Sequence, residues 1–323
     1  MSTDPNPVAI LAEADLCVVG AICRDVKTAP FPPSEGVLRD GETSVPGISE
    51  TIGGGGANSA GIAAALGAKS RFAGVVGADV LGERLRQALE RACVRCFLRS
   101  APGLVTGTTL NLVYTNGQRH FLSCHPNNAA LCFEELNLAV LDGSRHLLRA
   151  DVWFSEPMLY GGNERLLEEA RRRGMATSLD LNWDPKWGHA PEPEIRRRKQ
   201  AVRKFLPLID LAHGNVRELC AFTDTSDLNS ALESLTRWGV GAILVHHGAQ
   251  GAGHFSNGQW LLRPPAPIKR SVVATGTGDI LSVCMMLLHH RSDIPIADKL
   301  DLANQIVAEF IEGRRPLIPA LDL

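Results

Sequence analysis

Apolar and polar positions along this chain alternate between two periods. Leu16–Gly20 (LCVVG) is a short unbroken apolar run, the pattern of a strand buried on both faces. Ser70–Val76, Val152–Phe154, Ala176–Leu181, Leu208–Ala212 and Ala242–Val245 read as further strands. Between and after them, Ala60–Leu66, Leu81–Ala92, Glu164–Arg173, Leu228–Trp238, Gly278–His289 and Lys299–Ile311 read as helices. Strands alternating with helices need crossover connections, which predicts an α/β fold with a mostly parallel sheet covered on both faces.

Two stretches break this rhythm. Lys27–Glu50 is rich in Pro, Gly and acidic residues with scattered Val and Ile, and Thr106–Ser123 alternates like a hairpin around Asn116-Gly117. Together they predict a small β layer inserted into the domain, with segments at about 22–52 and 104–125. Its outer side would be unusually apolar, which suits a lid or a contact between two copies. Residues 1–14 are set apart as a flexible amino-terminal segment, and 15–323 as one domain.

Composition narrows the partners. The chain has 323 residues, 45% of them apolar, enough for a full core. A net charge of −2 gives no reason to expect nucleic acid. The basic run Arg196–Lys199, with Arg203 and Lys204, reads as the solvated face of a helix. No apolar stretch reaches the roughly 20 residues of a membrane helix. The first residues lack a basic start and a long apolar run, so a cytoplasmic protein is expected. The eight cysteines are scattered, and the single C-x-x-C at Cys93 and Cys96 lacks the second pair a structural zinc site needs.

The chemistry concentrates in two glycine motifs. Ala274-Thr275-Gly276-Thr277-Gly278-Asp279 runs directly into the apolar helix ILSVCMMLL. Glycines admit a ligand close to the backbone, and unpaired N–H groups at a helix start favour an anion. An aspartate there would repel phosphate, unless it takes a proton from an attacking hydroxyl while the amides hold the phosphoryl group. A Thr cap with an Asp in the first turn is the plainer alternative. The second motif, Gly53-Gly54-Gly55-Gly56-Ala57-Asn58, fits neither a dinucleotide fingerprint nor a P-loop, and Asn58 suits sugar hydroxyls.

GGGGANSAGIAAALGAKSRFAGVVGAD followed by GERL resembles the amino-terminal signature of the PfkB, or ribokinase-like, family of carbohydrate kinases. ATGTGD before a helix resembles its carboxy-terminal signature, and the resemblance runs from about Leu16 to Pro319. It implies a three-layer α/β/α sandwich with a small inserted β lid. It also implies an enzyme that transfers the γ-phosphate of ATP, with Mg2+, to a hydroxymethyl group of a sugar. A nucleoside kinase of the same fold is the alternative, and a sugar-binding regulator without catalysis a further one.

By this resemblance Asp279 is the catalytic base, and Gly276, Thr277 and Gly278 form the anion hole. Asp25, Gly54, Gly55, Asn58 and Glu156 bind substrate. Asn215, His246, Gly248, Gly251 and Asn304 line the nucleotide. Asn215 and Glu218 organise magnesium through water, and the lid forms a homodimer contact. Val273 and Ala274 replace the Asp-Thr pair of many members, which removes a carboxylate from the expected monovalent-cation site. Gly55 stands for a common lysine, Cys23 for a common asparagine, and the pair His246-His247 for a Thr-Leu type pair. Asp184 stands where many relatives have Arg, which argues against an acidic substrate. For stacking a nucleoside base the lid offers Phe31, Tyr114 and Phe121.

Overall fold

The computed structural model describes residues 7–33, 40–271, 276–319 and 321. The strands are β1 (Asp15–Val19), β2 (Cys23–Thr28), β3 (Ile48–Gly53), β4 (Lys69–Gly77), β5 (Val94–Ala101), β6 (Thr108–Val113) and β7 (Arg119–Cys124). They continue with β8 (His146–Arg149), β9 (Ala176–Asp180), β10 (Leu211–Asn215), β11 (Ala242–His246), β12 (Ala252–Ser256) and β13 (Gln259–Arg263). The helices are α1 (Pro7–Ala12), α2 (Gly55–Ala65), α3 (Val80–Arg91), α4 (Pro126–Ala129) and α5 (Asn163–Arg172). After these come α6 (Glu192–Phe205), α7 (Val216–Thr223), α8 (Leu228–Arg237), α9 (Thr277–Leu287) and α10 (Ile296–Ile311).

Nine strands form the main sheet in the order β13-β12-β11-β10-β9-β8-β1-β4-β5. From β11 to β5 all neighbours are parallel, and the hairpin β12–β13 adds an antiparallel edge. Strand periodicity splits the core in two. In β1, Leu16 and Val18 join the cluster packed with α2, α3, α9 and α10. Cys17 and Val19 join the one packed with α5 to α8 on the other face. These are the three layers of an α/β/α sandwich. A second, four-stranded sheet, β3-β2-β6-β7, stands apart from the first. Among the described residues no helix is long and apolar enough to cross a membrane.

Several expectations need correcting. No strand runs through Val152–Phe154. β8 ends at Arg149, and Val152 and Trp153 are buried in the loop beyond it, with the Trp153 indole donating to the Leu181 carbonyl. Burial made that loop look like a strand. The strand expected at Leu208–Ala212 begins at Leu211, after a 3-10 turn at Leu206–Leu208 that contains Pro207. Residues 7–12 of the amino-terminal segment form a helix whose Leu11 is fully buried. The basic run is a solvated face only in part: Arg196, Arg197, Arg203 and Lys204 are exposed on α6, but Arg198 is 2% exposed and ion-paired with Asp184 at 2.7 Å, and Lys199 is 8% exposed, donating to the Ala221 carbonyl and to Asp224. Asp184 is thereby consumed in the core and carries no information about substrate charge.

Candidate active site

Strand ends set the site. Asp180, Asn215 and His246 close the adjacent strands β9, β10 and β11, and Asp151 follows β8 by two residues. In an open parallel sheet ligands bind beyond these carboxyl ends, at the point where the chain reverses its direction of winding. Here that point lies between β1, which leads on to β4, and β8, which leads on to β9.

Asp151 fills it. Its carboxylate accepts hydrogen bonds from the backbone N–H of Ala21 at 3.0 Å, Gly55 at 3.2 Å and Gly56 at 2.8 Å. It thus caps α2 from another part of the chain, opposite the positive end of the helix dipole. Gly54 precedes α2 at φ 89°, a left-handed conformation that favours glycine. A Cβ on Gly55 would press the Asp151 carboxylate, and one on Gly53 would overlap that of Asp25. The glycine run is therefore spent on admitting two carboxylates. Sequence reasoning missed Asp151 because its segment read as a strand. It sits in the loop at φ 55°, a conformation Asp tolerates better than most residues.

Asp279 lies in the first turn of α9, behind Gly276 at φ 89°, with Thr277 and Gly278 as the first helical residues. Burial, then the negative charges of Asp151, Glu218 and Asp25, push its carboxyl up to about 7. Asp25, Glu218 and Asp279, named from the sequence, thus share one electrostatic neighbourhood with Asp151. Asp25 is raised by burial against the pull of Lys27, whose Nζ lies 3.9 Å away. The Cys23 thiol, held protonated by burial, donates to Asp25 at 3.7 Å. Asn58, on α2, has a buried Oδ1 without a hydrogen-bond partner.

A cleft of about 450 Å³ opens on the other side of Gly278. His246, Gly248, Gly251, Thr277 and Asn304 line it, with Ile268, Leu281 and Val307 as an apolar wall. His246 is neutral, its imidazole pushed down to about 4 by burial, and its Nε2 lies 2.7 Å from Ser282 Oγ. Its Nδ1 edge occupies the space a Cβ on Gly278 would need. The Asn304 amide is engaged, donating to the Pro264 carbonyl at 2.9 Å.

Asn215 and Glu218 form a reciprocal capping box at the start of α7. Asn215 Oδ1 accepts from the Glu218 N–H at 2.9 Å, and Glu218 Oε2 accepts from the Asn215 N–H at 2.8 Å. Glu218 keeps its other oxygen, and burial raises its carboxyl. Among the described residues no three His, Cys, Asp or Glu side chains gather as a metal cage. That donor set fits Mg2+ held largely by phosphates and water, the ion's usual habit. Glu156 stands apart from the group around Asp279, half-exposed and paired with Lys186 at 3.2 Å and Arg198 at 3.5 Å. Val273 and Ala274 lie outside the described residues.

Solved structures of similar fold cover nearly the whole chain. Adenosine kinase from Sinorhizobium meliloti matches with a TM-score of 0.80 at 18% identity, over 95% of this chain and 97% of that one. A putative ribokinase II from E. coli, in complex with ATP and Mg2+, gives 0.77 at 19% identity, over 94% of each chain. Arabidopsis thaliana ribokinase, complexed with ribose and ATP, gives 0.74 at 20%, over 95% and 96%. At these identities the likeness speaks for the fold alone. The model of the pfkB family carbohydrate kinases matches residues 13–285, most of the chain, and with both glycine motifs in place around one cluster of carboxylates, the chain belongs to the pfkB family of carbohydrate kinases.

Proposed function

We propose that this protein transfers the γ-phosphate of ATP to a hydroxymethyl group of a small sugar. The observation that carries this reading is the position of Asp279. It stands at the start of α9 between the cleft lined by His246 and Asn304 and the carboxylate neighbourhood that holds Asp25. ATP would lie in the cleft with its phosphates on the N–H groups of Gly276, Thr277 and Gly278. Asp279 would take the proton of the attacking hydroxyl, and Asp25 with Asn58 would hold the remaining hydroxyls. Mg2+ would ride on the phosphates, with Glu218 reaching it through water. Gly54 and Gly55 serve the substrate side by leaving room, and Glu156 would join it only by leaving Lys186.

A sugar fits better than a nucleoside. Phe31 is buried and packs edge-on against Tyr114 at 5.2 Å, so of the lid aromatics only Phe121, half-exposed, is left to stack a base. The outer face of the four-stranded sheet exposes Ile48, Leu110 and Leu122, which supports a homodimer joined through the lids. A thermal-shift panel of sugars and nucleosides, followed by ATP turnover on the compounds that bind, tests the reading. Stabilisation and turnover by a sugar are expected. Turnover with nucleosides alone, or binding of sugars with no ATP consumption, would overturn it.

A further inference from the structure

Asp25 belongs to a polar face of the four-stranded sheet. Register sets Thr51, Asp25, Thr109 and Ser123 in one row across β3, β2, β6 and β7. Lys27, Asn111 and Phe121 follow in a second row on the same face, two residues along, or about 7 Å further out. Part of this face satisfies itself: Thr109 Oγ1 lies 2.8 Å from His125 Nε2 and 3.2 Å from Ser123 Oγ.

The rest does not. Asn111 is 1% exposed, and neither its Oδ1 nor its Nδ2 has a hydrogen-bond partner. Thr51 Oγ1 in the first row is also buried and unpartnered, as is Asn58 Oδ1 on α2. Folded proteins pair nearly all such groups, so orphans gathered beside one carboxylate call for a ligand that completes them. A primary amide with both ends open wants a group that donates and accepts at once, which is a hydroxyl. Lys27, the cation of the second row, already has its ammonium 3.9 Å from Asp25, so an acidic ligand there would have to draw it away from a largely buried carboxylate.

Resting on the kinase reading above, we infer that Asn111 and Thr51 are specificity-determining contacts for the acceptor. They read hydroxyls beyond those held by Asp25, and the acceptor is an uncharged polyhydroxylated sugar long enough to span both rows. A triose-sized polyol would reach only one of them. Hydroxyls then pay the desolvation of a face that is under-bonded in the resting protein.

The test uses the full chain and two near-isosteric substitutions, Asn111→Leu and Thr51→Val. Each removes an orphan without leaving a cavity, so neither variant should melt below the wild type in the absence of acceptor. A ketohexose, the matching aldonic acid, glycerol and adenosine are compared by ligand-induced melting shift and by ATP consumption. We expect the ketohexose to shift the wild type most. Its KM should rise about tenfold or more in Asn111→Leu and less in Thr51→Val, with kcat and the KM for ATP little changed. Should Asn111→Leu fail to fold, Thr51→Val decides alone. An unchanged ketohexose KM in the variants, or a wild-type preference for the aldonic acid, glycerol or adenosine, overturns the inference. Ketohexose binding that weakens in the variants while ATP is never consumed would sustain these contacts and refute the kinase reading instead.

Discussion

At the scale of single residues the site is a group of carboxylates held closer together than their charges favour. Asp279 is pushed up to about 7 chiefly by burial and then by its neighbours, so in the resting protein it is half-ionised near neutral pH. As a general base it must be ionised. The rate kcat/KM should therefore climb through an acid limb near pH 7, and Asp279→Asn should lose about 10²–10⁴-fold in turnover while keeping the fold. Linkage gives an independent readout. A carboxyl raised on folding binds more protons folded than unfolded, so its contribution to stability falls as pH rises from the ordinary carboxylate range to about 7. The melting temperature of Asp279→Asn relative to wild type should thus increase across that window and level off above it. A constant difference would show that the carboxyl titrates normally. Asp151 makes the neighbouring case. Asp151→Asn keeps a side-chain acceptor but loses the charge and one of the three N–H contacts. It should cost about 1–2 kcal/mol and move the acid limb to lower pH, because one negative charge beside Asp279 is gone. An unmoved limb would mean that Asp151 acts on the helix alone.

At the scale of elements, the motifs that touch backbone were legible and those made by distant segments were not. The glycine run and Thr277-Gly278-Asp279 announced two helix starts because glycine and capping chemistry are local. Asn116-Gly117 announced the β6–β7 hairpin for the same reason, yet the identical dipeptide at 257–258 went unread, although Asn257 and Gly258 both take positive φ in the β12–β13 turn. Asp151 could not be read locally, since the groups it caps lie about 100 residues or more away in sequence. Nor could the burial of Arg198, which depends on Asp184 across a helix and a loop. The N-x-x-E of Asn215 and Glu218 shows the opposite problem, one motif with two uses. Glutamine also closes a capping box. Glu218→Gln should therefore melt within about 0.5 kcal/mol of wild type but need several-fold more Mg2+ for half-maximal rate. Asn215→Ala should lose about 1 kcal/mol of stability. If Glu218→Gln kept its Mg2+ dependence, the pair would be a helix cap and nothing more.

At the scale of the whole molecule, the parallel sheet supplies fixed strand ends and the four-stranded sheet supplies a cover with two unlike faces. The outer face bears Ile48 at 67% exposure on the edge strand β3, and Leu110 and Leu122 paired across β6 and β7 on the same face. Light scattering should find a dimer, and Leu110→Asp combined with Leu122→Asp should yield monomers that still melt cooperatively. On the kinase reading, the inner face would couple the cover to the substrate. Asp25 sits on β2, the strand that pairs with both β3 and β6, so whatever Asp25 holds is held against the centre of the lid. A sugar bonded there would link the lid to Asn58 on α2, on the rigid body of the molecule, and draw the two together. Closure would exclude water from the reacting phosphate and limit wasteful hydrolysis of ATP. Sugar binding should therefore slow amide hydrogen exchange in β6 and β7, whereas ATP alone, bound in the cleft on the far side of Gly278, should not. In Asp25→Ala the same sugar concentration should leave exchange in those strands unchanged, because the carboxylate that joins sugar to lid is missing. Equal protection by ATP alone would place the trigger for closure in the nucleotide cleft, and normal protection in Asp25→Ala would place the sugar elsewhere.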